Sequence, residues 1–478
     1  MCLIRPSLAA AAVTVAAVAA GPSHLAAQAS LPCAACVSVT IGPAMILRGP
    51  AGDENDAPFV ALKLPDGRLR GFVSNTTTYA VDGASVTDMG GARRPVLRPG
   101  TKGTGSECGS WLTGLSRAGA ALWGLLHWEA ACNYEKGETH KSMGIATSTD
   151  DGLTWRVLGA IVEAGERPSE GKLTGEGDCT MADGHDGHLY VYCLRPRDWK
   201  ITAMRAPKND PAPGQWKKWD GSGWDVPALG GFAAPLAGFP GHSAAWWVPQ
   251  NLMLLLAVES SLKLSLSADK VHFAQMPAPL IPYDADQWER PAPTPLYAYP
   301  SLVAPNGGND VGDESFLTYA YVPPDAGFTE RYLVAHDMRM TMQEQPVSPQ
   351  VKLALSRYVT PGGESWTTSG VPAVAGERPR FAFEATLGYV MTAAPASSAI
   401  LLEECVSASA GRYLSDRTCA SDLARRLRSA GYVYGEEQPG TRALYNCTRS
   451  DGRFFASTDA ACDGRGRPDR RLGFLIAP

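Results

Sequence analysis

Long apolar runs are absent from the chain after about residue 30, and charge is sparse throughout. Only 19% of the 478 residues are Asp, Glu, Lys or Arg, and the formal net charge is -5 without a long basic cluster. The lack of a basic cluster argues against nucleic acid and anionic membranes as partners. The lack of a long apolar run leaves no transmembrane candidate beyond the start of the chain.

A sustained amphipathic helical period is also missing before about residue 420, whereas turn formers are abundant, with 50 Gly and 37 Pro. Short apolar segments separated by Gly, Asn, Asp and Pro predict an all-β fold. A Gly-x-Ser-x-Gly elbow is absent too, so serine-hydrolase chemistry has no support in the sequence.

The first 30 residues resemble a secretory signal. Arg5 precedes an Ala/Val-rich run, and a small-residue stretch at 25–29 follows as a cleavage site. We therefore predict a signal peptide over 1–30 and a secreted protein, either extracellular or periplasmic. An uncleaved membrane anchor is the alternative.

The cysteines agree with export. One of the eleven, Cys2, lies in the predicted signal, and the other ten fall into near neighbours along the chain. Local bridging in an oxidising compartment is the simplest reading. The five predicted couples are Cys33 with Cys36, Cys108 with Cys132, Cys179 with Cys193, Cys405 with Cys419, and Cys447 with Cys462. A zinc site at Cys33 and Cys36 is disfavoured because a second ligand pair at suitable spacing is missing.

Five similar units follow one another between about residues 59 and 337. Each has a core strand, a Gly/Asn/Asp turn, a very apolar second strand and outer strands, as in the blades of a β-propeller. We predict a five-bladed β-propeller over 31–345. Four or six blades, or a β-sandwich, are the alternatives.

A second repeat occupies residues 350–478. Three copies share an apolar strand, a Gly-Arg/Glu-aromatic segment and a closing Leu/Ala-Gly-aromatic motif. Each copy is too small to bury a core alone, so we predict a threefold, β-trefoil-like domain. The pattern resembles small repeat domains that accompany bacterial secreted enzymes. Residues 421–429 are predicted to form one short helix.

The most recognisable motif is Ser-Thr-Asp-Asp-Gly-Leu-Thr-Trp at 148–155. Asp-Asp-Gly predicts a tight turn between two strands. The spelling resembles the Asp-box, Ser-x-Asp-x-Gly-x-Thr-Trp, of sialidase-like propellers, where it fixes an outer hairpin away from the ligand face. Ser267 and Asp269 retain part of it. Sialidase activity itself is disfavoured, because a Phe-Arg-Ile-Pro start is missing and only Arg48 and Arg195 occupy remotely suitable places.

Propeller geometry nominates functional residues, because innermost strands begin, and second strands end, on the same face. Charged and aromatic residues at those positions are Asp56, Glu107, Glu176, Asp178, His242 and Tyr299 at strand starts, and His127, Glu129, Arg195, Glu259 and Tyr321 at strand ends. A carboxylic acid paired with a carboxylate is the requirement for glycosidic-bond hydrolysis.

The chain is similar in this respect to five-bladed glycosidases related to arabinanases and fructosidases. That resemblance implies Asp56 as general base, Glu176 or Asp178 as general acid and Glu107 as a carboxylate that tunes a pKa. Glu129 is a further catalytic candidate, because it ends an apolar strand beside Trp128. For each acid taken alone, a turn-capping or solvated carboxylate is the alternative interpretation.

The predicted substrate-binding residues are His127, Trp128, Arg195, His242, Glu259, Tyr299 and Tyr321. Lys141 and His140 are expected in solvent. No cofactor or catalytic metal is predicted, and a structural calcium ion is left open. The run Asp183-Gly-His-Asp186-Gly-His188 favours two turns over a metal loop.

These features favour a carbohydrate-active protein, and glycoside hydrolysis is the leading prediction. A non-catalytic lectin or adhesion protein is the alternative, since propellers and trefoils also bind sugars without catalysis. A third reading is a pseudo-enzyme that lacks a correctly spaced acid pair.

Overall fold

The computed structural model describes residues 31–50, 52–119, 121–237, 241–283, 288–395, 398–419 and 424–478. These residues form β-strands and turns, and none of them lies in an α-helix. Consequently no described segment is a long apolar helix of membrane-spanning size. The predicted signal peptide lies outside the described residues. Short 3-10 segments occur at Ala34–Cys36, Tyr134–Lys136, Val248–Gln250, Phe328–Glu330 and Cys462–Gly464.

Two N-terminal strands, β1 (Val37–Ile41) and β2 (Met45–Arg48), precede four separate sheets. The first sheet runs in chain order, with strands β3 (Val60–Lys63), β4 (Leu69–Asn75), β5 (Thr77–Gly83) and β6 (Arg93–Leu97). The second contains β7 (Gly109–Ala118), β8 (Ala121–Asn133), β9 (Glu138–Ser148), β10 (Arg156–Val162) and β11 (Leu173–Gly175).

The third and fourth sheets repeat the same antiparallel meander. The third contains β12 (Gly177–Asp183), β13 (His188–Arg195), β14 (Lys200–Pro207), β15 (Lys217–Lys218) and β16 (Val226–Pro227). The fourth is built from β17 (Ser243–Trp247), β18 (Leu252–Val258), β19 (Ser261–Ser267), β20 (Ala274–Gln275) and β21 (Ile281–Pro282). Strand β18 is buried along nearly its whole length, because neighbouring sheets cover both of its faces.

The remaining strands join one 14-stranded sheet. Its propeller part comprises β22 (Leu296–Val303), β24 (Glu314–Val322) and β25 (Tyr332–Met342), while the intervening β23 (Asp310–Val311) pairs with β17. Nine C-terminal strands follow: β26 (Val351–Val359), β27 (Ser365–Thr368), β28 (Ala382–Met391), β29 (Ala399–Ser407), β30 (Gly411–Ser415), β31 (Ala424–Tyr434), β32 (Thr441–Thr448), β33 (Phe454–Ser457) and β34 (Arg467–Ile476).

The propeller therefore has four separate blades, and the prediction of five is corrected. The strands of the fifth predicted unit do not form a sheet of their own. Strand β1 pairs antiparallel with β25 and parallel with β26, so backbone hydrogen bonding continues from that unit into the C-terminal strands. The innermost strands β3, β7, β12 and β17 follow one another around the axis, and β22 lies between β17 and β3.

The C-terminal strands form three hairpin units. Leu355, Leu402 and Leu444 pair with Gly388, Gly431 and Gly473 respectively, which gives the three units a common register. Single pairings join β28, β31 and β34 to one another. The closing strands of the three predicted copies therefore pair with one another. The trefoil assignment and the domain boundary near residues 345–350 remain predictions.

The helix predicted at 421–429 is wrong where the chain is described. Residues from Ala424 onward belong to β31, which pairs with β29 from Ala399 to Ser407. Pairing along nine residues of a neighbouring strand outweighs the local helical preference of the Arg-rich sequence.

All five predicted disulfides are confirmed, at Cys33–Cys36, Cys108–Cys132, Cys179–Cys193, Cys405–Cys419 and Cys447–Cys462. The turn between β9 and β10 is held by Asp150, which accepts hydrogen bonds from the backbone N–H groups of Leu153 (3.1 Å) and Thr154 (2.9 Å). Ser148 accepts another from Gly152 N–H at 2.8 Å. This turn lies at the outer strands of its blade, as predicted from the sequence.

Candidate active site

A cavity of about 680 Å³ opens where the third and fourth blades meet strand β22. Four of the residues predicted from strand starts and ends line it, namely Asp178, His242, Glu259 and Tyr299. Leu173, Leu194, Ile201, Ala257 and Val258 supply apolar wall. A cavity of this size, with apolar walls and a few convergent polar groups, is typical of a small-molecule site.

Asp178 and Tyr299 both occupy the left-handed backbone region, with φ of +50° and +51°. Each lies at a break in strand register, between Gly177 and Thr180 in β12 and between Ala298 and Ser301 in β22. Bulges of this kind redirect a side chain, and left-handed φ costs a non-glycine residue about 1–3 kcal/mol. Two innermost strands therefore use the same irregularity to present a polar side chain to the cavity.

His127 contacts two carboxylates, Asp178 of the cavity lining and Glu129. Its Nδ1 accepts a 3.1 Å hydrogen bond from the backbone N–H of Asp178, so the ring proton lies on Nε2. Nε2 is 3.2 Å from Glu129 Oε1 and 3.7 Å from Asp178 Oδ1. The two carboxylate oxygens are therefore no further apart than the sum of these distances.

Lys141 completes the cluster, and the prediction that it is solvated is wrong. Its Nζ contacts Asp178 Oδ2 and lies 3.6 Å from Glu129 Oε1, and only 14% of its side chain is exposed. Alternation along β9 faces Lys141 toward Glu129 of β8, which is its direct cross-strand partner. His140, on the opposite face, is half-buried and lies 2.9 Å from Thr174 Oγ1.

Tyr134 caps the other side of Glu129. Its hydroxyl donates a 2.5 Å hydrogen bond to Glu129 Oε2. Burial, followed by the charge of Glu129, raises the pKa of Tyr134 far above its ordinary value, so the phenol stays protonated as a donor.

Lys141 and the contacts of His127 outweigh burial at both carboxylates. Burial favours protonation of Asp178, but the charge of Lys141 above all holds its pKa well below the usual range. At Glu129, burial is again opposed by His127 and Lys141, and the pKa is lowered. Burial likewise disfavours the charged form of Lys141, yet Asp178 and Glu129 raise its pKa. The resting cluster holds two ionised carboxylates and a protonated lysine.

His242 is a buried polar side chain that faces the same cavity. Its Nε2 makes no hydrogen bond with any described residue. Gly241 fixes the backbone just before it: φ is +83°, and a Cβ there would lie 2.0 Å from Leu256 O. Burial, partly offset by the charge of Asp178, lowers the pKa of His242, so the imidazole is neutral near pH 7. It is available to a ligand hydroxyl as donor or acceptor.

Two exposed tryptophans also line the cavity, and the sequence reasoning missed them as site residues. Trp199 is 59% exposed and Trp288 is 48% exposed. Trp288 packs edge-on against Tyr299, with ring centroids 6.2 Å apart. Large aromatic side chains left in solvent beside a cavity commonly mark a ligand surface. Their position in loops was the available signal, as Trp199 lies in the short turn between β13 and β14.

Four of the five predicted catalytic acids are absent from the cavity lining. Glu129 is one of these four, although it belongs to the cluster with His127 and Lys141. Asp56 forms an ion pair with Arg331, whose pKa burial lowers to about 10. Glu107 is half-buried, and its Oε2 has no hydrogen-bond partner among the described residues. Glu176 pairs with the fully buried Lys218, and burial raises the carboxyl pKa despite that partner.

Three predicted binding residues also have other surroundings. Arg195 is paired with Asp198 at 2.7 Å and donates to Ala233 O at 3.0 Å. Trp128 packs in a hydrophobic core and donates to Ser110 Oγ at 3.3 Å. Tyr321 lines a different cavity. In the described part of the chain, no three His, Cys, Asp or Glu side chains are arranged to hold a metal ion.

Comparisons with known proteins bear on the fold alone. No protein-family model and no curated protein matches the chain. Among solved structures, a family 117 glycoside hydrolase of the marine bacterium Zobellia galactanivorans is 11% identical, covering 63% of this chain and 90% of that one, with a TM-score of 0.41. With TM-scores as low as this, no activity is transferred to the present chain.

Two other similar structures show the same level of likeness. A sucrose-6-phosphate hydrolase from Lactobacillus gasseri is 11% identical, covering 85% of this chain and 73% of that one, with a TM-score of 0.41. A family 43 β-1,3-galactosidase is also 11% identical, covering 68% of this chain and 100% of that one, with a TM-score of 0.40.

Proposed function

We propose that the protein is a secreted glycoside hydrolase that acts on a glycan in the cavity beside Asp178. The observation that carries the proposal is a pair of carboxylates within 3.7 Å of one His127 nitrogen: Asp178, which lines the cavity, and Glu129, which is not part of the lining. Exposed Trp199 and Trp288 supply aromatic faces for the apolar side of sugar rings.

In this proposal Asp178 is the nucleophile. It lines the cavity, stays ionised beside Lys141, and is presented by a bulged, left-handed backbone. Glu129 delivers the proton to the leaving oxygen. Substrate entry draws Lys141 away from Glu129, which removes the cation that, together with the His127 hydrogen bond, holds this carboxyl ionised, and Glu129 then takes up the proton from solvent. One oxygen of each carboxylate contacts the same Lys141 nitrogen, at 3.6 Å for Glu129, so these oxygens lie closer together than the roughly 6.5–9.5 Å typical of inverting enzymes, and retention of anomeric configuration is the expected outcome.

Substrate-positioning roles are proposed for four further side chains. His242 and Glu259 offer polar atoms on the fourth-blade side of the cavity, and Tyr299 offers a phenol that burial keeps protonated. His127 orients both carboxylates through its two nitrogens. The C-terminal repeats are proposed to be a trefoil-like unit that attaches the protein to carbohydrate.

Carbohydrate binding without hydrolysis is the second candidate. It is favoured by one observation, that the pKa values of both clustered carboxylates are lowered and neither holds a proton at rest. A glycosidase needs a protonated group at the leaving oxygen. If Lys141 remains in place when sugar binds, the site recognises glycans without cleaving them.

The test is a polysaccharide and aryl-glycoside screen that measures reducing-sugar release and binding by calorimetry. We expect D178N to lose at least about 10²-fold in turnover on every substrate. E129Q should lose a similar factor on natural glycosides but little on aryl glycosides with good leaving groups, which need no acid. D66N, altered in an exposed turn, is the matched control. Binding by wild type without any hydrolysis would support the second candidate instead.

A further inference from the structure

A second cavity, of about 250 Å³, lies between the propeller and the C-terminal repeats. Tyr321, Pro324 and Asp325 line it from the end of β24, while Trp366 and Arg412 line it from the first two repeats. None of its lining residues belongs to the cavity beside Asp178. It is therefore a separate candidate site.

Tyr321 is the feature that points to a ligand. The residue is 98% buried, since only 2% of its surface is exposed, and its ring packs against Tyr297 with centroids 5.3 Å apart. Its hydroxyl makes no hydrogen bond with any described residue. Because Tyr321 lines the cavity, its hydroxyl is available to donate to an acceptor bound there.

Arg412 supplies further unused donors. One of its terminal nitrogens donates to Glu364 at 2.6 Å, and its guanidinium lies 4.6 Å above the Trp366 ring. A guanidinium carries five N–H donors in a fixed plane, so most remain for a ligand. Arg428, in contrast, is committed to Glu404 at 3.0 Å and to Tyr297 at 3.0 Å.

Acceptors are scarce in the same lining. Asp325 is its only carboxylate, and Arg425 already engages it at 2.6 Å at the exposed rim. The rest of the wall is apolar, including Pro295, Val374 and Leu427. A lining with many donors and few acceptors matches a ligand that brings acceptor oxygens of its own.

We propose that this cavity binds a small organic carboxylate on a single ring, of the sugar-acid class. The carboxylate accepts from Arg412 and from the Tyr321 hydroxyl, and the ring contacts the apolar wall. A ligand with a single ring is the appropriate size, because the volume of 250 Å³ is slightly smaller than the roughly 300–1,000 Å³ of cavities that hold drug-sized ligands. The proposal does not depend on hydrolysis in the first cavity.

The experiment measures binding of glucuronate and of neutral glucose to the full-length protein by calorimetry and saturation-transfer NMR. We expect glucuronate to bind and glucose to bind at least about 10-fold more weakly, since hydrogen bonds to a charged acceptor are the strong ones. Y321F and R412Q should each weaken glucuronate by about 10-fold or more. D66N, altered in an exposed turn outside both cavities, should bind glucuronate as wild type does.

Tyr321→Phe is the decisive variant, because it removes a hydroxyl that the described structure leaves unpaired and should fold with an unchanged thermal midpoint. Equal binding of glucose and glucuronate would overturn the proposal. So would wild-type affinity in Y321F, loss of binding in D66N, or no binding of glucuronate at all. Hydrolysis depends on Asp178, so D178N separates the two ideas: it should lose turnover and keep glucuronate binding.

Discussion

The backbone N–H of Asp178 donates a 3.1 Å hydrogen bond to Nδ1 of His127. This bond joins the end of the second strand of one blade to the start of the innermost strand of the next. It also fixes the tautomer of the ring, so Nε2–H faces Glu129 at 3.2 Å. One histidine thereby sets the positions of both proposed catalytic carboxylates.

Two substitutions of His127 should show separately what each of its two hydrogen bonds contributes. His127→Asn keeps an acceptor near Nδ1, and His127→Gln keeps a donor near Nε2. Because the His127 hydrogen bond helps lower the Glu129 pKa, loss of that donor in H127N should move the alkaline limb of the pH–rate profile, which reports the proton donor, to higher pH. H127Q should leave that limb in place. His140→Ala, in a half-buried histidine of the same blade, is the control, and equal profiles in all variants would contradict the positioning role.

Lys141→Met should destabilise the fold strongly at neutral pH. It leaves two buried carboxylates without their shared cation, which typically costs about 3–5 kcal/mol. The folded-state pKa values of Asp178 and Glu129 are lowered, so the stabilisation is present at neutral pH and is lost as pH falls below the ordinary carboxyl range. Urea unfolding of both proteins at pH 7 and at about pH 2.5, below the ordinary carboxyl range, measures this.

Lys263→Met provides the matched control, because the Lys263–Glu259 pair, at 3.2 Å, is partly exposed on both sides. A change below about 1 kcal/mol is expected there. Equal losses of unfolding free energy in the two lysine variants would contradict the prediction, because the buried cluster would then stabilise the fold no more than a surface pair does.

Trp199→Ala and Trp288→Ala should weaken glycan binding without unfolding the protein. Both side chains are about half exposed, so little core packing is lost. Loss of one aromatic contact at about 0.5–1.5 kcal/mol corresponds to a roughly 2- to 12-fold rise in KM or Kd. Phe383→Ala, in another exposed aromatic far along the chain, should leave affinity unchanged. Unaltered affinity in both tryptophan variants would remove the sugar-platform role.

His336 should make stability depend on pH between about 6.5 and 4. Burial, aided by Arg428 and opposed by the hydrogen bond to Gly42 O, lowers its pKa to about 4. Its Nε2 accepts from the Tyr319 hydroxyl at 2.7 Å. The unfolded chain therefore binds a proton in this window that the folded protein does not, so stability falls with falling pH.

At pH 4.5 the His336 contribution amounts to about 2.5 kcal/mol relative to pH 7.5. Thermal or urea unfolding at the two pH values measures the loss, and His336→Asn should show a loss smaller by about that amount. His185→Asn, in an exposed histidine, is the control. An unchanged pH dependence in H336N would contradict the assignment.

Sequence reasoning located much of the first cavity because it relied on strand position. Asp178, His242, Glu259 and Tyr299 were nominated from where strands start and end, and they line one cavity. The local disulfides can be predicted equally well, since cysteines that are close in the sequence of a hairpin are also close in space.

The features that cannot be predicted from the sequence depend on contacts between segments far apart along the chain. Strand β1 merges the fifth predicted unit with the C-terminal strands, and no local pattern in 37–41 reveals its two partners. Lys141 resembled a solvated lysine because its partner Asp178 is 37 residues away and comes close only through blade packing. Asp56 likewise forms its ion pair with Arg331, which lies far along the chain.

Trapping of the glycosyl-enzyme tests the central claim most directly. A 2-deoxy-2-fluoro glycoside with a good leaving group, built on the sugar that the screen identifies, should accumulate a covalent adduct. Peptide mass spectrometry is expected to place the adduct on Asp178 in wild type and to find none in D178N. An adduct on any other carboxylate, or hydrolysis with inversion and no adduct, would contradict the account.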